Sequence, residues 1–418
     1  MRVVITNAVT SNGGDAAILL GMMKLLRTAL GSETQFVIFD SQPDLAKRHY
    51  PELEFRELWR ARAIRLAGRR ARKLRRAFHL ARIRVAAKLQ IHGAKRLAAV
   101  MLTHEEKIAL EDFSAADLVV STGGTYLVEH YSLKSRLFEF ELALALRKPL
   151  VLFTQSLGPF RKPENRRALA NVLRRAAGVL VRDEASRNHL ASLDVPPEKI
   201  RLAADAAFAL ETGPPSFPTP APFLRVAISV RNWSHFKEAD RDAGMNRFTE
   251  AMTALTSHLV QQHGARVTFI STCQGIPEYA FDDSQIADVI AGALPDAVRE
   301  RVRVDAGFHR PEELIQRLQE FDMVVATRMH LAILSLLAGT PVLPVSYEFK
   351  TTELFGRLGM ARWVQDIETI DPLGLIATAD QFVGELPALR GAVRSAVERE
   401  RLEAASAVEA VQYFSGLR

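Results

Sequence analysis

An arginine and a histidine stand two residues apart in the segment TRMHLAILSLLAGTPVLPVSYEFK, which covers residues 327–350. The apolar run before this segment is typical of a buried strand, and the run after His330 is typical of a helix ending at Gly339. Arg328, Met329 and His330 are therefore expected at a helix N-terminus, where backbone N–H groups and the helix dipole favour an anion. An arginine there adds a bidentate contact to phosphate or carboxylate.

A second arginine, Arg231, directly follows the apolar run LRVAISV at 224–230. The carboxyl ends of parallel strands meet at one edge of a sheet, so Arg231, Arg328 and His330 are expected to converge. A lone histidine in an apolar helix is more often a core residue bonded to a carbonyl, but the two arginines weaken that interpretation. The group suits a small, multiply charged anion. Phosphate is the simplest candidate, and an anion with both a phosphate and a carboxylate would use all three residues. A bound anion would help keep His330 protonated.

The loop after the first apolar run reads SNGGDAAIL. Asn12, Gly13 and Gly14 predict a tight turn, and Asp15 is expected to begin a helix as its N-cap. The alternative is a loop whose backbone N–H groups contact a ligand. The cap is favoured because aspartate at a helix start requires no ligand to explain it. The spacing does not match G-x-G-x-x-G, so a dinucleotide fingerprint is not supported.

Two more strand ends of the first half carry candidate residues. Gly123 and Gly124 let a backbone or a substrate approach closely, and Glu129 follows them. Arg182 and Asp183 end another apolar run. This pair is explained at least as well by a structural ion pair as by a catalytic role.

Short apolar runs alternate with helical patterns along the chain, which indicates parallel α/β sheets. The predicted strands are 2–6, 34–40, 116–122, 149–156, 178–183, 224–230, 265–272, 322–327 and 341–347. The segment ETGPPSFPTPAPF at 211–223 has five prolines in thirteen residues, a density that excludes a helix or a central strand. It predicts an interdomain linker.

These patterns predict two Rossmann-like parallel-sheet domains facing a cleft, with candidate residues beyond the strand ends. The predicted parts are an N-terminal domain over 1–212 with a basic helical insert at about 58–104, a Pro-rich linker over 213–223, a C-terminal domain over 224–386 and a C-terminal helix over 387–418. A chain of 418 residues is long enough for two such cores.

The bulk composition indicates an ordinary globular protein, with 48% hydrophobic and 25% charged residues. The single cysteine, Cys273, excludes a disulfide framework and a cysteine-rich metal site, and fits a reducing compartment.

Residues 1–7 resemble a strand more than a signal peptide, and no apolar run reaches about 20 residues. A cytoplasmic location is expected, with peripheral attachment to the inner face of the cell membrane as an extension. No cluster has metal-ligand spacing, so no metal is expected.

The basic insert at 58–104 contains 11 Arg and 3 Lys and no acidic residue. Since the whole chain carries +7, subtracting the +14 of this insert leaves −7 for the rest. An apolar stripe at helical spacing runs through Ile64, Ala67, Ala71, Leu74, Phe78, Ala81 and Val85. The simplest interpretation is a helix packed on its domain with a solvated basic face. Nucleic acid is disfavoured because aromatic residues are not interleaved. An anionic membrane surface is the favoured partner.

The ordered motifs resemble those of the polysaccharide pyruvyl transferase family. The segment TRMH…GTPVLPVSYEFK is similar to the family's Ser-x-Arg-x-His or Ser-Arg-x-His, Gly-x-Pro and Tyr-x-x-Lys pattern, with Thr327 where serine is usual. SNGGDAAIL, STGGTYL, SLGPF and VRDEAS also resemble family motifs, in the same order along the chain. The basic insert has no counterpart in this resemblance.

The resemblance implies a GT-B-like fold and the transfer of pyruvate from phosphoenolpyruvate to a saccharide, on a polysaccharide or a lipid-linked oligosaccharide, as a ketal. It implies that Arg231, Arg328 and His330 hold phosphoenolpyruvate on the C-terminal domain, with His330 as the general acid, and that the N-terminal domain takes the acceptor.

Candidate bases are Asp15, Glu129 and Asp183. Further candidate binding residues are Asn12, Gly123, Gly124, Met329 and Lys350, although Lys350 is also placed to pair with Glu348. No cofactor is expected. The alternatives are a GT-B glycosyltransferase that uses a nucleotide sugar and a non-catalytic scaffold.

Overall fold

The computed structural model describes residues 1–66, 72–129, 131–211, 213, 221–236 and 241–416. The chain divides into two compact units, Met1–Ser11, Ile18–Ala209 and Leu402–Arg418 in the first, and Asn12–Ala17 and Leu210–Arg401 in the second. Most of the predicted linker, residues 212 and 214–220, lies outside the described residues.

The first unit contains a parallel sheet whose central strands are buried. Its strands are β1 Arg2–Ala8, β2 Gln35–Asp40, β3 Phe55–Glu57, β4 Leu118–Ser121, β5 Gly124–Leu127, β6 Leu150–Leu157, β7 Gly178–Val181 and β8 Ile200–Leu202. The described order is β3-β2-β1-β4-β6-β7-β8, with β5 paired to β6. Every residue of β4, β6 and β7 is buried, as expected for a parallel sheet covered on both faces.

Helices connect these strands and cover the sheet. They are α1 Gly13–Leu30, α2 Pro43–His49, α3 Trp59–Leu66, α4 Arg72–Ile91, α5 Lys95–Val100, α6 His104–Ala115, α7 Leu133–Arg136, α8 Phe138–Ala145, α9 Pro163–Leu173 and α10 Glu184–Ala191. Capping residues determine where several of these helices begin. Thr103 and Glu106 form a capping box at α6, and a proline opens α9 where no N–H is needed. The basic insert is α3, α4 and α5.

The second unit repeats the architecture with a second parallel sheet. Its strands are β9 Arg225–Ser229, β10 Arg266–Phe269, β11 Val302–Val304, β12 Met323–Ala326, β13 Val342–Ser346 and β14 Gln365–Asp366, in the order β11-β10-β9-β12-β13-β14. The α helices from residue 241 onward are α11 Arg241–His263, α12 Ser284–Gly292, α13 Asp296–Arg299, α14 Pro311–Leu318, α15 Met329–Leu337, α16 Phe349–Arg357, α17 Pro372–Gly384, α18 Leu386–Ala405 and α19 Ala407–Phe414. Of these, α19 belongs to the first unit.

The helix predicted after His330 is α15, and it ends just before Gly339, the glycine predicted to stop it. α15 is apolar on all sides, so it is a buried helix against β12 and β13. Gly339 has a φ of 83° and its N–H donates to Leu336 O, while Thr340 N donates to Ser335 O. This pair of bonds is a Schellman motif, which satisfies two carbonyls at the helix end.

The predicted α/β class with two parallel sheets is confirmed, and each of the nine predicted strands contains a strand of the structure. Five short strands were not predicted, namely β3, β5, β8, β11 and β14, because two to four residues show too little alternation to detect. The C-terminal helix expected over 387–418 is instead two helices, α18 and α19, separated at Ser406. Among the described helices, none combines the length and apolarity needed to span a bilayer.

Candidate active site

Arg231 lies just beyond the carboxyl end of β9 and stacks on two aromatic rings. Its guanidinium carbon is 4.2 Å from the ring centroid of Tyr347 and 4.9 Å from that of Trp233. The two rings themselves lie 4.6 Å apart at an angle of 46°. Aromatic faces attract a cation and fix its plane without neutralising its charge. Arg231 is therefore a positioned cation.

The charge of Arg231 meets no carboxylate among the described residues. Its Nε is buried and has no hydrogen-bond partner among the described protein atoms, and the same holds for Ser229 Oγ and Trp233 Nε1. These three residues lie at the end of β9 and directly after it, and Arg231 contacts Trp233. Buried polar atoms are usually satisfied, and three neighbouring exceptions on one strand end point to a ligand.

Arg328 is held by Asp283 in a bidentate ion pair. Arg328 Nε donates to Asp283 Oδ2 at 2.7 Å and Nη2 donates to Oδ1 at 2.6 Å. The side chains are 13% and 4% exposed. Burial lowers the pKa of the Arg328 guanidinium, but the charge and hydrogen bonds of Asp283 outweigh burial and raise this pKa above its usual value. Arg328 is thus permanently charged and largely neutralised, with Nη1 outside the pair.

The first turn of α1 packs against the His330 imidazole within the second unit. Gly13 N donates to Thr272 O at 2.8 Å, which fixes this turn. A Cβ at position 14 would lie 2.6 Å from His330 Nδ1, so only glycine leaves room for the ring where it stands. The glycine motif therefore positions His330, a role different from the ligand contact considered from sequence.

Asn12, rather than Asp15, begins the first helix. Asn12 Oδ1 accepts from Gly14 N at 2.9 Å, and α1 starts at Gly13. The expectation that Asp15 is the N-cap is wrong, because the side-chain oxygen of Asn12, three residues before Asp15, already accepts from the Gly14 N–H group. Asp15 lies in the first turn and interacts electrostatically with Cys273 and Tyr279.

Cys273 is at the centre of these groups and is not reactive. Burial raises the pKa of its thiol to about 12, and the charges of Arg231, Arg328 and Asp15 also act on it. These shared interactions bring the three charged residues into one neighbourhood. A thiol with this pKa stays protonated at neutral pH, so it is not a nucleophile.

The remaining predicted residues of the second unit have structural partners. Met329 is buried at the start of α15. Lys350 Nζ lies 2.7 Å from Glu348 Oε2, which is the ion pair considered from sequence. These contacts compensate the charge of Lys350, so Arg231 supplies the main uncompensated positive charge among the described residues of this cluster.

The two glycines predicted in the first unit serve its packing. A Cβ at Gly123 would lie 2.7 Å from Thr154 Oγ1 and 2.8 Å from Ile18 Cγ2. Gly124 has a φ of 124°, a conformation that favours glycine, and it pairs with Gln155 in the sheet. Both positions require glycine whether or not a substrate approaches.

The two candidate bases of the first unit also make structural hydrogen bonds. Glu129 Oε1 accepts from Asn165 Nδ2 and from Lys162 N, both at 2.9 Å, and these bonds lower the pKa of Glu129. Asp183 caps α10 by accepting from Ser186 N at 2.7 Å. His130, which follows Glu129, lies outside the described residues.

The ion pair considered between Arg182 and Asp183 is not formed. Arg182 instead forms an ion pair with Asp205 and donates to Ser156 Oγ at 2.8 Å. Asp183 accepts from the same Ser156 at 2.5 Å. The two charges are linked through a hydroxyl, because consecutive residues at a strand end point in opposite directions.

Two important residues were missed from sequence, Asp283 and Tyr347. Neither residue is among the site residues predicted from the sequence. The spacing gives no indication that Asp283 meets Arg328, 45 residues away. Trp233, two residues after Arg231, was the available indication of a stacked cation.

Replacing Gly14 with alanine is expected to displace the His330 ring. The added methyl would overlap Nδ1, and relieving such overlap costs about 1–3 kcal/mol. A displaced catalytic group loses on the order of 100-fold in rate. Turnover and urea unfolding of the variant would be measured beside Gly356→Ala, where a Cβ meets nothing within 4 Å. Equal turnover in both variants would contradict the positioning role.

Replacing Asp283 with alanine is expected to destabilise the protein by about 3–5 kcal/mol, because it leaves the Arg328 cation buried and unpaired. Urea unfolding would measure the loss. The neighbouring carboxylate gives the control: Asp282→Ala removes two local bonds, from Ser284 N and Ser284 Oγ, and should cost only about 1–2 kcal/mol. Similar losses in the two variants would show that the ion pair contributes little.

Comparison with solved structures shows the same fold class at low sequence identity. UDP-GlcNAc 2-epimerase from Neisseria meningitidis, bound to UDP-GlcNAc, aligns with a TM-score of 0.58 and 10% identity, covering 98% of this chain and 99% of that one. The S. aureus MnaA–UDP structure aligns at 0.58 and 11% identity over 100% and 97%. At these identities the likeness establishes the fold alone.

Comparison with known sequences establishes the family. The amylovoran biosynthesis protein AmsJ of Erwinia amylovora is 26% identical over 298 residues, which is 68% of this chain and 70% of AmsJ. Residues 12–348 match the profile of polysaccharide pyruvyl transferases. This match covers most of the chain and includes Arg231, Asp283, Arg328 and His330. The protein is a transferase and belongs to the polysaccharide pyruvyl transferase family.

Proposed function

We propose that the protein moves pyruvate from phosphoenolpyruvate onto two hydroxyls of a saccharide as a cyclic ketal, with release of phosphate. The observation that carries the proposal is Arg231, a cation stacked on Trp233 and Tyr347 with no carboxylate partner among the described residues. A site that keeps one fixed cation uncompensated is built to receive an anion.

Donor binding starts from Arg231. Its planar guanidinium would make a bidentate contact with the carboxylate or the phosphate of phosphoenolpyruvate. Ser229 Oγ and Trp233 Nε1, which have no described partner, would donate to the same ligand. The N-terminus of α15 and Arg328 Nη1 would meet its other anionic group. Asp283 then has a positioning role, since it fixes the plane of Arg328.

His330 is the proposed general acid. It lies at the second residue of α15, packed against Gly14, so its ring is held in one place. The enol ether carbon of phosphoenolpyruvate becomes electrophilic only when the methylene carbon gains a proton. A dianion bound beside the imidazole stabilises its protonated form.

The reaction balances in two additions. His330 gives its proton to the methylene carbon, which becomes a methyl group, and a sugar hydroxyl forms a bond to the adjacent carbon while losing its proton to a base. The carbon–oxygen bond to phosphate then breaks, and inorganic phosphate leaves with the electron pair. A second hydroxyl adds to the resulting oxocarbenium carbon and closes the ketal. Its proton restores the acid form of His330, and the proton held by the base passes to the released phosphate. Arg231 stabilises the charge that develops on the departing phosphate.

Asp15 is the proposed base. It shares a turn with Gly14, which contacts His330, and its charge acts on Cys273 together with those of Arg231 and Arg328. Glu129 and Asp183 are the weaker candidates, because both carboxylates already accept hydrogen bonds that hold loops or helix ends. The acceptor is proposed to be a saccharide on a lipid carrier, used at the cytoplasmic face of the membrane.

The experiment supplies phosphoenolpyruvate with a panel of saccharides and measures phosphate release together with the mass of the glycan. The expected result is phosphate release that depends on the saccharide, with a product that carries one added pyruvyl group. A parallel reaction contains UDP-sugars in place of phosphoenolpyruvate. Sugar transfer from UDP with no release of phosphate from phosphoenolpyruvate would replace the proposal with a glycosyltransferase.

A further inference from the structure

The basic insert presents an apolar stripe to solvent. On α4 the side chains of Leu74, Phe78 and Val85 are 77%, 73% and 46% exposed. Leu74 and Phe78 are four residues apart, and Phe78 and Val85 are seven apart, so the three form one stripe along the helix. The exposed Ala81 lies in the same stripe. Monomeric proteins seldom expose a leucine and a phenylalanine side by side on one helix face.

The opposite face of α4 is fixed in the core of the first unit, so the stripe points outward by packing. Ile83, Ala86 and Ala87 are fully buried. On the same side Arg82 turns inward and donates to Oε1 of the buried Glu106 at 2.6 Å, whereas the ion pair of Arg84 with Glu141 is partly exposed. The simplest interpretation of the sequence, a helix packed on its domain through this stripe, is therefore wrong for Leu74, Phe78 and Val85, while Ala67 and Ala71 lie outside the described residues.

Cations without described acidic partners border the stripe. Lys73 and Arg75 flank Leu74, and Lys88 lies one turn beyond Val85, all exposed. None of the three has an ion pair among the described residues. The neighbouring helix α5 adds more of the same chemistry, with exposed Lys95, Arg96, Leu97 and Val100. Among the described residues of the insert, Arg62 and Arg82 are thus paired with glutamates, whereas Lys73, Arg75 and Lys88 remain available.

We propose that α4 and α5 dock on an anionic lipid bilayer surface, with the Leu74–Phe78 stripe in the acyl boundary and the flanking cations on lipid headgroups. An amphipathic helix with lysine and arginine beside leucine and phenylalanine suits this interface. Nucleic acid offers phosphates but no apolar layer for Phe78. A second copy of this chain would bring like charges together, which opposes self-association.

Vesicle co-sedimentation tests the proposal with the full chain. Binding is expected to phosphatidylglycerol-containing vesicles and not to pure phosphatidylcholine, and to fall as salt rises. Replacing Lys73 and Arg75 with glutamine should weaken partitioning roughly 25-fold. Replacing Leu74 and Phe78 with serine should weaken it on the order of 100-fold, because both groups would otherwise be buried in the acyl boundary. These side chains are exposed, so folding should be retained.

The control is Leu373→Ser with Leu402→Ser, two leucines that are 80% and 70% exposed outside the insert. This variant should bind vesicles as the unchanged protein does. Equal binding to the two vesicle types, or unchanged binding by the Leu74/Phe78 variant, would overturn the proposal. A dimer that this variant converts to a monomer, with no vesicle binding, would assign the stripe to a second copy instead.

A different cluster, on the second unit, supports a second inference. His258 and His263 on α11 each place Nε2 2.7 Å from the same atom, Asp380 Oδ1 of α17. The three possible ligand atoms lie within 4.8 Å of one another, and all three residues are partly solvent-accessible. Two histidines at i and i+5 show no metal spacing in sequence, since the third ligand comes from another helix.

We infer that this cluster binds a zinc ion. Two imidazole nitrogens and one carboxylate are ligands that Zn²⁺ prefers at about 2.0–2.2 Å, and solvent can supply the fourth. α11 follows β9 and ends just before β10, so the cluster lies at the amino edge of the sheet, opposite Arg231. The ion would join α11 to α17, and its role would be structural.

The probe is zinc alone, added to the metal-free protein in competition with a chromophoric chelator. One equivalent per chain is expected, together with a higher unfolding temperature because the ion binds the native state. Both effects should vanish in His258→Ala and in His263→Ala, and persist in His104→Ala, an exposed histidine elsewhere. Zinc binding that is the same in all four proteins would overturn the inference, as would no binding to the unchanged protein.

Discussion

Replacing Arg231 with alanine is expected to lower kcat/KM for phosphoenolpyruvate by about 10²- to 10³-fold while leaving the protein folded. Losing one preorganised group that stabilises developing negative charge has an effect of this size. The effect on stability should be small, at about 1 kcal/mol, because Arg231 has no described carboxylate partner to be left unpaired. Steady-state phosphate release and urea unfolding measure the two quantities.

The matched control is Arg266→Ala, which removes another arginine stacked on a ring of the same unit, 4.1 Å from the Phe223 centroid. Arg266 starts β10, at the amino edge of the sheet, so its loss should leave turnover unchanged. Arg231→Lys should recover only part of the activity, since an ammonium keeps the charge but not the planar, bidentate contact. Full activity in Arg231→Ala would remove this residue from the donor site.

Replacing His330 with alanine is expected to abolish turnover, by about 10²- to 10⁴-fold, the usual contribution of a positioned general acid. Donor binding should be weakened far less, because Arg231 and Arg328 remain. Phosphate release and a binding assay with phosphoenolpyruvate measure the two effects.

His309→Ala is the control for this prediction, since His309 is another histidine of the same unit and lies 3.0 Å from the carboxylate of Asp305. It should retain turnover. A core histidine that only supports packing would behave differently from a general acid. In that case His330→Ala would lower stability and leave the rate of the folded fraction intact, and the proposed acid would have to be sought elsewhere.

Much of the fold and the composition of the site could be predicted before any tertiary contact was known. The alternation of apolar runs with helical patterns predicts two parallel sheets, and each of the nine predicted strands contains an observed strand. The placement of Arg231 after β9, and of Arg328 and His330 after β12, follows from local pattern, because each strand is a continuous buried run. The stop at Gly339 follows in the same way.

The partners of those residues were decided only by the tertiary structure. Asp283 neutralises Arg328, Tyr347 stacks on Arg231, and Gly14 makes room for His330. Each partner comes from a different strand end or loop. Sequence therefore indicated two equivalent arginines, whereas the structure distinguishes one that is paired from one that is available to a ligand.

Local sequence pattern also could not determine whether a helix face points toward the core or toward solvent. Periodicity showed that Leu74, Phe78 and Val85 share a face of α4, but it cannot say whether a sheet or solvent covers that face. The decision came from the opposite face, where Ile83, Ala86 and Ala87 are buried and Arg82 pairs with the buried Glu106. The sequence determines which residue types lie along a strand or helix. The charges and surfaces that contact them come from distant segments that only folding brings together. His258 and Asp380, for example, are 122 residues apart in the chain.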